Sequence, residues 1–429
     1  MTLRRLAPLL LVLNAAGSLA EVSPEIRRGA EAVEAQVIAW RRDIHAHPEL
    51  SNREFRTAAL VAEHLDSLGM EVTTGTAHTG VVGVLRGGLP GPVVALRADM
   101  DGLPVEERTG LPYASKVRST YNGLDVGVMH ACGHDNHVAI LMGAATVLSG
   151  MRERLPGTVK FVFQPAEEGP PAGEDGGARM MVQEGVLEDP DVEAIFGLHI
   201  SQADTVGFAN YRPGGAMASA QRFEITITGR QTHGARPWQG VDPIVAGAHV
   251  VTALQTIVSR QVDISKAPAV VTVGSFHGGV RNNIVPDSVK LEGTIRTFDA
   301  DMRADIHARI RRIATTVAES MGATADVYIN DGVPVTYNDP ALTEAMLPTL
   351  HKVYGADRVR YALPITGAED FSFFQEQVPG FYFFIGGRPA DMAAEDAIPN
   401  HSPLFFVDEG ALKLGVQAMS QLAVDYLNR

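Results

Sequence analysis

The stretch that decides the fold is HVAILMGAATVLSGMRERLPGTVKFVFQPAEEG, residues 137–169. Its first part, 137–151, has a helical pattern, and its second part contains an apolar run that ends in a polar cluster, as a buried β-strand does. Apolar strands with polar ends also occur at 93–101, 194–200 and 380–387. Buried strands that alternate with helices predict an α/β fold in which a mostly parallel sheet is covered by helices on both faces.

Polar side chains follow several of these strands directly. Because ligands in parallel α/β sheets bind at the carboxyl ends of the strands, residues at these ends are candidates for a functional site. Asp99 and Asp101 lie at the end of the segment 93–101, and His199 lies near the end of 194–200. Glu167 and Glu168 follow the apolar run within 137–169. The sequence therefore predicts a polar site along one edge of the sheet.

The middle of the chain has a second pattern. Residues 219–330 contain strand-like and helix-like segments in the order β-α-β-β-α-β, which is that of a ferredoxin-like α+β unit with its own core. Parallel-sheet signals resume after this unit, and a chain of 429 residues is long for one compact core. We therefore predict an inserted domain at 216–330, within a larger domain formed by 21–215 and 331–429.

Residues 1–20 have the pattern of a cleavable export signal. A pair of arginines precedes the apolar run 6–13, and small residues follow up to Ala20. This order predicts a signal peptide cleaved near Ala20, and hence a periplasmic or secreted protein. A membrane anchor is the alternative, but an anchor needs about 20 apolar residues and Asn14 interrupts this run. No stable membrane insertion is expected, because no other stretch is long and apolar enough.

The charge of the chain excludes some classes of partner. Its formal net charge is −14, from 36 Lys and Arg against 50 Asp and Glu, and the basic residues form no stripe. Nucleic acids and anionic membrane surfaces both attract basic patches, so neither is expected as a partner. A small molecule or a peptide-like compound is expected instead.

The one cysteine of the chain is Cys132, in MHACGHDNHVAI (129–140). A chain with one cysteine has no internal disulfide available. The thiol could be a nucleophile, a metal ligand or a small buried group. His134 lies two positions further on, and in an extended segment two such side chains point to the same side, so both could reach one ion.

Further donors of the same kind stand at comparable places in the chain. Glu167 and Glu168 face opposite ways if the segment is extended, so that one can bind a metal while the other handles protons. His199 ends a strand and His401 precedes the last helix. Together with the Cys-x-His pair, Glu168 and these histidines suit two divalent ions, and the donor types favour Zn or Mn. Such a pair can deprotonate a water and polarise a carbonyl group, which is the core of metal-assisted amide hydrolysis.

Seven motifs, in order along the chain, resemble those of one enzyme superfamily. They look like the dimetal amidohydrolases of the aminoacylase/carboxypeptidase superfamily. The nearest branch has a bridging cysteine and includes hippurate hydrolases, N-acyl-amino-acid deacetylases and plant auxin-conjugate hydrolases. The resemblance covers nearly all of the chain that follows the signal peptide. The motifs are RRDIHAHPEL (41–50), RADMDGLPVEE (97–107), MHACGHDNH (129–137), FQPAEEG (163–169), THGARP (232–237), NNIVPD (282–287) and GAEDFSF (367–373).

This resemblance implies a role for each candidate at the sheet edge. Cys132 is expected to bridge two divalent ions, and Glu167 is expected to be the general base. The terminal metal ligands are expected to be His134, Glu168, His199 and His401. The implied reaction is hydrolysis, through a metal-bridged hydroxide, of the amide bond of an N-acyl amino acid. Hippurate-like and N-acetyl amino acids and short peptide-like amides are the expected substrates.

The resemblance also implies a role for the inserted domain. Residues 216–330 are expected to form a lid that pairs two subunits into a homodimer. His233 is expected to stabilise the oxyanion of the tetrahedral intermediate, often from the partner subunit. Asn283 and Arg296 match positions that hold the substrate, the latter through its carboxylate.

Some assignments stay open at this stage. Asp101 could orient a ligand histidine through a hydrogen bond, but Asp99 could fill the same place. His137 is expected on a helix face, and His130 has no assigned role. Three other functions compete with the amidohydrolase. An exported metallo-carboxypeptidase or dipeptidase would use the same site, a cysteine hydrolase would use Cys132 as nucleophile, and a non-catalytic binding protein would need no general base.

Overall fold

A computed structural model describes residues 21–429, so the predicted signal peptide lies outside the described residues. The described chain forms two sheets of four or more strands, each with its own apolar core, and the predicted fold class is confirmed. The helices are α1 (Pro24–Ala46), α2 (Phe55–Ser67), α3 (His134–Ser149), α4 (Gly177–Gln183), α5 (Pro243–Thr256), α6 (Ala300–Ser320), α7 (Pro340–Tyr354), α8 (Ser372–Gln375) and α9 (Gly410–Leu427). The strands are β1 (Glu71–Thr76), β2 (Gly80–Arg86), β3 (Leu89–Asp99), β4 (Arg118–Tyr121), β5 (Leu124–Gly127), β6 (Pro156–Gln164), β7 (Ala194–Thr205), β8 (Ala209–Tyr211), β9 (Gly214–Met217), β10 (Ser219–Thr228), β11 (Thr232–His233), β12 (Ala269–Gly278), β13 (Ile284–Val285), β14 (Ser288–Thr297), β15 (Thr324–Ile329), β16 (Thr336–Asn338), β17 (Val359–Tyr361) and β18 (Gly380–Arg388).

The larger sheet has eight strands in the order β1-β2-β6-β3-β7-β18-β8-β17. Its central strands β6, β3, β7 and β18 are parallel to one another, and β1 and β2 are antiparallel strands at one edge. Strands β6 and β18 are buried along nearly their whole length. This burial on both faces explains why their sequences are continuous apolar runs and do not alternate. The carboxyl ends of the four parallel strands lie along one edge of the sheet.

Helices cover both faces of the larger sheet. On one face α1, α3 and α9 pack together over the central strands, and on the other face α4 and α8 pack against them. Almost every residue of α3 is buried, which explains its apolar character all around. Because α3 is enclosed between α1, α9 and the sheet, its first residue, His134, is fixed in position at the sheet edge.

The smaller unit is a four-stranded antiparallel sheet in the order β12-β14-β10-β15, with α5 and α6 packed on it. Both helices begin at an aspartate that caps them. The side chain of Asp242 accepts hydrogen bonds from the backbone of Ile244 and Val245, and Asp299 accepts one from Met302. Burial alternates along β10, as expected for a sheet with one face against helices.

The structure differs from the sequence-based expectation at two places. The sequence has a helical pattern from residue 38 to residue 69, but the structure divides it into α1 and α2 at the segment around Pro48, because proline lacks the N–H that a helix interior requires. The antiparallel hairpin of β1 and β2 was not expected, and most of β1 is exposed. Among the described residues, no helix combines the length and the apolar character needed to cross a bilayer.

Candidate active site

Cys132 and His134 lie at the start of α3, where a glycine turn brings them together. The segment is not extended as the spacing suggested, because Gly133 between them has φ +99°. A Cβ at this glycine would come within 2.7 Å of the Ile200 side chain, so both conformation and space favour glycine. The turn still directs both side chains to one point. Ligand atoms of Cys132, His134 and His199 all lie within 4.8 Å of one another.

Glu167 and Glu168 lie on a turn just after β6, and again the segment is not extended. The two carboxylates stay close to each other, because one oxygen of each and a ring nitrogen of His134 all lie within 4.8 Å of one another. Glu168 forms a compact group with Cys132 and His401, whereas Glu167 forms a group with two acids of the GAEDFSF motif. Only Glu168 belongs to a group that contains Cys132, and Glu167 lies beside that group.

His199 and His401 reach the same place from two other elements. His199 comes from β7, and its Nε2 lies 3.3 Å from Sγ of Cys132. His401 comes from the loop before α9, and its Nε2 lies 2.9 Å from Oε1 of Glu168. The backbone N–H of His401 donates to the carbonyl of Ala131 at 2.8 Å, which ties this loop to the cysteine loop. The structure thus brings together all five predicted ligand side chains.

His134 has the hydrogen bonds of a metal ligand. Its Nδ1 lies 2.9 Å from the carbonyl oxygen of Asp101 and 3.2 Å from Oδ1 of the same residue. We therefore place the ring proton on Nδ1, which leaves a lone pair on Nε2. This Nε2 is buried and has no hydrogen-bond partner among residues 21–429. Buried polar atoms without a partner are rare, and a cation would satisfy this one.

The donor set fits two divalent cations. Cys132 belongs to two compact groups, one with His134 and His199 and the other with Glu168 and His401. A donor that two groups share has the position required of a bridging ligand. Thiolate, imidazole and carboxylate are together suited to Zn and Mn, and two such ions supply Lewis acidity and lower the pKa of a water when bound.

The thiol of Cys132 does not have the surroundings of a nucleophile. Burial, together with the carboxylates of Glu168 and Glu167, raises its pKa well above the ordinary value. A nucleophilic cysteine needs a lowered pKa, because the thiolate is the reactive form. The protein side chains alone do not lower the pKa of this thiol. Bound cations would supply the positive charge that lowers it. A cysteine hydrolase is therefore disfavoured.

Two aspartates that the sequence left undecided have separate partners. Asp101 contacts His134, whereas Oδ1 of Asp99 lies 2.6 Å from Nδ1 of His137. Nε2 of His137 accepts a hydrogen bond from the backbone N–H of Ile200 at 2.9 Å. His137 is thus buried and joins α3 to β7 beside His199, whereas only a position on a helix face was expected from the sequence. Only its spacing of three residues from His134 could have indicated this.

Glu167 is backed by a buried network of charges. The Arg97 guanidinium donates to Asp99 at 2.5 Å and to Glu369 at 2.9 Å, and all three side chains are almost fully buried. Burial, followed by the charge of Glu369, raises the pKa of Glu167 well above its ordinary value. Bound cations would act in the opposite direction and favour its ionised form. The sequence could not indicate the pairing of Arg97 with Glu369, because Glu369 lies far away along the chain.

A cavity of about 620 Å³ opens at these residues. Its lining includes Glu167 and four of the five potential metal ligands, all except His134. It also includes an apolar wall, formed by Met217, Ile365, Phe384, Ile398 and Pro399.

Three predicted site residues lie in the smaller unit and do not line this cavity. His233 is exposed on β11, which pairs with β13, and the backbone N–H of Gly234 donates to the carbonyl of Asn283 at 2.8 Å. His233 and Asn283 are therefore close together. Arg296 is half-buried on β14, where burial lowers its pKa, and it forms no ion pair within residues 21–429.

The fold and the site together define a class: a hydrolase with a metal-binding centre at the carboxyl edge of a parallel sheet and a free carboxylate beside it. Comparison with known families identifies the class further. Residues 95–425 match the model of Peptidase family M20/M25/M40, and the chain belongs to this family.

Similar proteins and solved structures support the family assignment. Thermostable carboxypeptidase 1 of Saccharolobus solfataricus is 40% identical over 407 residues, which is 94% of this chain and 99% of that protein. N-acetyl-L-cysteine deacetylase of Bacillus subtilis is 38% identical over 380 residues, 89% of this chain and 85% of that protein. Among solved structures, the Bacillus subtilis YXEP protein, a dinuclear metal binding peptidase, has a TM-score of 0.77 and 35% identity, and the match covers 93% of this chain and 99% of that one. The predicted enzyme class, a hydrolase acting on amide bonds, is confirmed.

Proposed function

We propose that this chain uses two divalent cations, Mn or Zn, to hydrolyse the amide bond of N-acyl amino acids. The observation that carries the proposal is the position of Cys132, which two compact groups of ligands share. His134 and His199 would complete the site of one ion, and Glu168 and His401 that of the other. Asp101 would orient His134 by the hydrogen bonds described above.

Glu167 is the general base in this proposal. It lines the cavity, its Oε2 lies 3.8 Å from Nε2 of His134, and it is outside the groups that contain Cys132. A carboxylate at this place can take a proton from the attacking water and pass it to the nitrogen of the departing amino acid.

The apolar side of the cavity favours an aromatic acyl group such as benzoyl. A cavity of about 620 Å³ has room for one, and each buried CH₂ contributes about 0.8 kcal/mol to binding. The ring of Phe384 lies 6.1 Å from that of His199, so this wall begins next to the potential metal ligands. An acetyl group would leave most of the wall without a contact.

We expect Phe384→Ala to lower kcat/KM for benzoylglycine by about tenfold and kcat/KM for acetylated amino acids by no more than about twofold. The reason is that only the aromatic acyl group contacts the ring. The measurement is steady-state kinetics on a panel of acyl amino acids, with Tyr361→Ala as the control. Tyr361 is an exposed residue of the edge strand β17 and does not line the cavity, so its loss should affect neither substrate. Equal losses for both substrates in Phe384→Ala would contradict the proposed acyl pocket.

A carboxypeptidase is the second candidate, because two relatives carry that name. In both reactions the departing group is an amino acid with a free carboxylate, and Arg296 lacks an ion-pair partner within residues 21–429 that would compete for such a carboxylate. Inclusion of peptides in the same panel separates the candidates by the ratio of their kcat/KM values.

A homodimer through the smaller unit would complete the site. Strand β12 is at an edge of its sheet, and large apolar side chains on or near β12 and α5 are exposed. Such exposed groups are typical of protein interfaces. They are Ile244, Val245, Val270, Phe276 and Val280. His233 does not line the cavity of its own chain, which supports a role in the site of the partner chain.

A hybrid dimer tests whether His233 acts across the interface. We expect both Glu167→Gln and His233→Ala homodimers to be impaired. A co-expressed hybrid that contains one chain of each, purified by two different tags, has one intact site if His233 acts on the partner's substrate. Its activity should then be about half that of the wild type, because the two sites of a two-fold dimer are equivalent. A hybrid no more active than the mean of the two homodimers, or a fully active monomer in light scattering, would contradict this arrangement.

Export is a further part of the proposal. It rests on the signal-like residues 1–20, and N-terminal sequencing of the protein recovered from the periplasm or medium tests it, with a new terminus near residue 21 expected.

A further inference from the structure

The turn that carries Glu167 is held from behind by buried carboxyl groups. The backbone N–H groups of Glu167 and Glu168 donate to Oδ1 and Oδ2 of Asp101 at 3.1 and 3.0 Å. The backbone N–H of Ala166 donates to Oε1 of Glu54 at 2.9 Å. Three consecutive amides are therefore fixed by side chains from distant parts of the chain, although none of the three belongs to a helix or strand.

Glu54 lies just before α2 and is fully buried. Its Oε1 also accepts a hydrogen bond from the backbone of Asn52 at 3.1 Å, and its Oε2 lies 2.5 Å from Oγ1 of Thr79. Burial, followed by the nearby charge of Asp101, raises the pKa of Glu54 to about 8. The raised pKa favours the neutral acid, and Oε1 accepts from both backbone amides while Oε2 is paired with the Thr79 hydroxyl.

The contact with Ala166 has a conformational consequence. Ala166 has φ +53°, in the left-handed region that residues with a Cβ rarely adopt. This conformation costs about 1–2 kcal/mol, so the turn would relax if nothing held it. Relaxation at Ala166 would move the carboxylate of Glu167, the next residue. A displacement of about 1 Å in a catalytic group can lower a rate by about 10²-fold.

We propose that Glu54 is a positioning residue: its Oε1 holds Ala166 in the left-handed conformation and so directs Glu167 into the cavity. This inference rests on the proposed function, in which Glu167 is the general base. The turn requires a hydrogen-bond acceptor at position 54, on a side chain as long as that of glutamate. A negative charge at that position is not required.

Two conservative variants distinguish the effect of the length of the side chain at position 54 from the effect of its charge. Glu54→Gln keeps an oxygen for the amide of Ala166 and gains an N–H that can donate to Thr79. Glu54→Asp keeps the carboxylate but is one methylene too short to reach Ala166. Aspartate is also a favoured residue just before a helix, so α2 can begin normally in that variant. We expect kcat within about threefold of the wild type for Glu54→Gln, about 10- to 100-fold lower for Glu54→Asp, and KM within about threefold for both.

Hydrogen exchange provides a readout that does not depend on activity. The backbone amides within residues 164–169, apart from Pro165, are followed in the metal-loaded, full mature chain. They should exchange faster in Glu54→Asp than in the wild type, and their exchange rates in Glu54→Gln should equal those of the wild type. Val61→Ala, which removes a buried side chain from the same helix, is the control for simple destabilisation. It should lower the Tm without changing kcat below the unfolding temperature.

Each result has a definite meaning. If exchange follows this order but all variants turn over equally, Glu54 does hold the turn and the role of Glu167 in the proposed function is wrong. If Glu54→Asp exchanges like the wild type, or if Glu54→Gln is as impaired as Glu54→Asp in both measurements, the positioning role of Glu54 is overturned.

Discussion

Replacement of Glu167 by glutamine is expected to lower kcat for the best acyl amino acid by about 10³-fold, because an amide cannot accept the proton of the attacking water. The metal content should not change, since Glu167 lies outside the groups of ligands that contain Cys132. KM should also change little, because glutamine has the same shape. The measurement is steady-state kinetics together with metal analysis of the same dialysed sample.

Glu168→Gln is the matched control for that variant. The two residues are neighbours on one turn, but Glu168 belongs to the group with Cys132 and His401. Its replacement should lower both the metal content and the activity, and added metal should restore part of the activity. Full turnover by Glu167→Gln, or loss of metal from it, would show that the two roles have been assigned wrongly.

Replacement of Cys132 by alanine is the second change with a large expected effect. One donor shared by two ions contributes to both sites, so the metal content should fall from two ions per chain to one or fewer. We expect kcat to fall by about 10³-fold or more, because both the Lewis acid and the activated water are lost. Metal analysis after dialysis, with activity measured in excess Mn or Zn, checks this expectation.

Alkylation of the thiol distinguishes this role from that of a nucleophile. Bound metal should protect Cys132 of the wild-type protein from alkylation, since a ligand thiolate is occupied. An alkylated protein should have lost its metal as well as its activity. A Cys132→Ala variant that keeps two ions and is nevertheless inactive would favour the cysteine hydrolase instead.

The proximity of the candidate ligand side chains could be predicted, because their positions follow from the topology. Buried parallel strands end at one edge, so Glu168 and His199 had to lie near each other once the strands were recognised. The local geometry was wrong, since Gly133 and Ala166 both adopt positive φ where extended backbone was expected. The candidate side chains still come together, because they converge from several elements and do not depend on the conformation of any one segment.

The supporting residues could not be predicted, because their roles depend on contacts that no local pattern records. Glu54 is one carboxylate among many in the sequence, and only the folded chain places it against the amide of Ala166. The same is true of Arg97 and Glu369, which meet across the sheet from distant positions. In contrast, the order of the long strands and helices in the smaller unit could be predicted, whereas the short strands β11 and β13 could not.

The central claim is that two bound cations are required for amide hydrolysis at this site. The most direct test strips the mature protein with a chelator, then titrates it with Mn or Zn while metal occupancy and hydrolysis of an aromatic acyl amino acid are followed together. We expect no turnover in the stripped protein and full turnover only when the second ion has bound. Full turnover without metal, or full turnover at one ion per chain with no second ion bound, would contradict it.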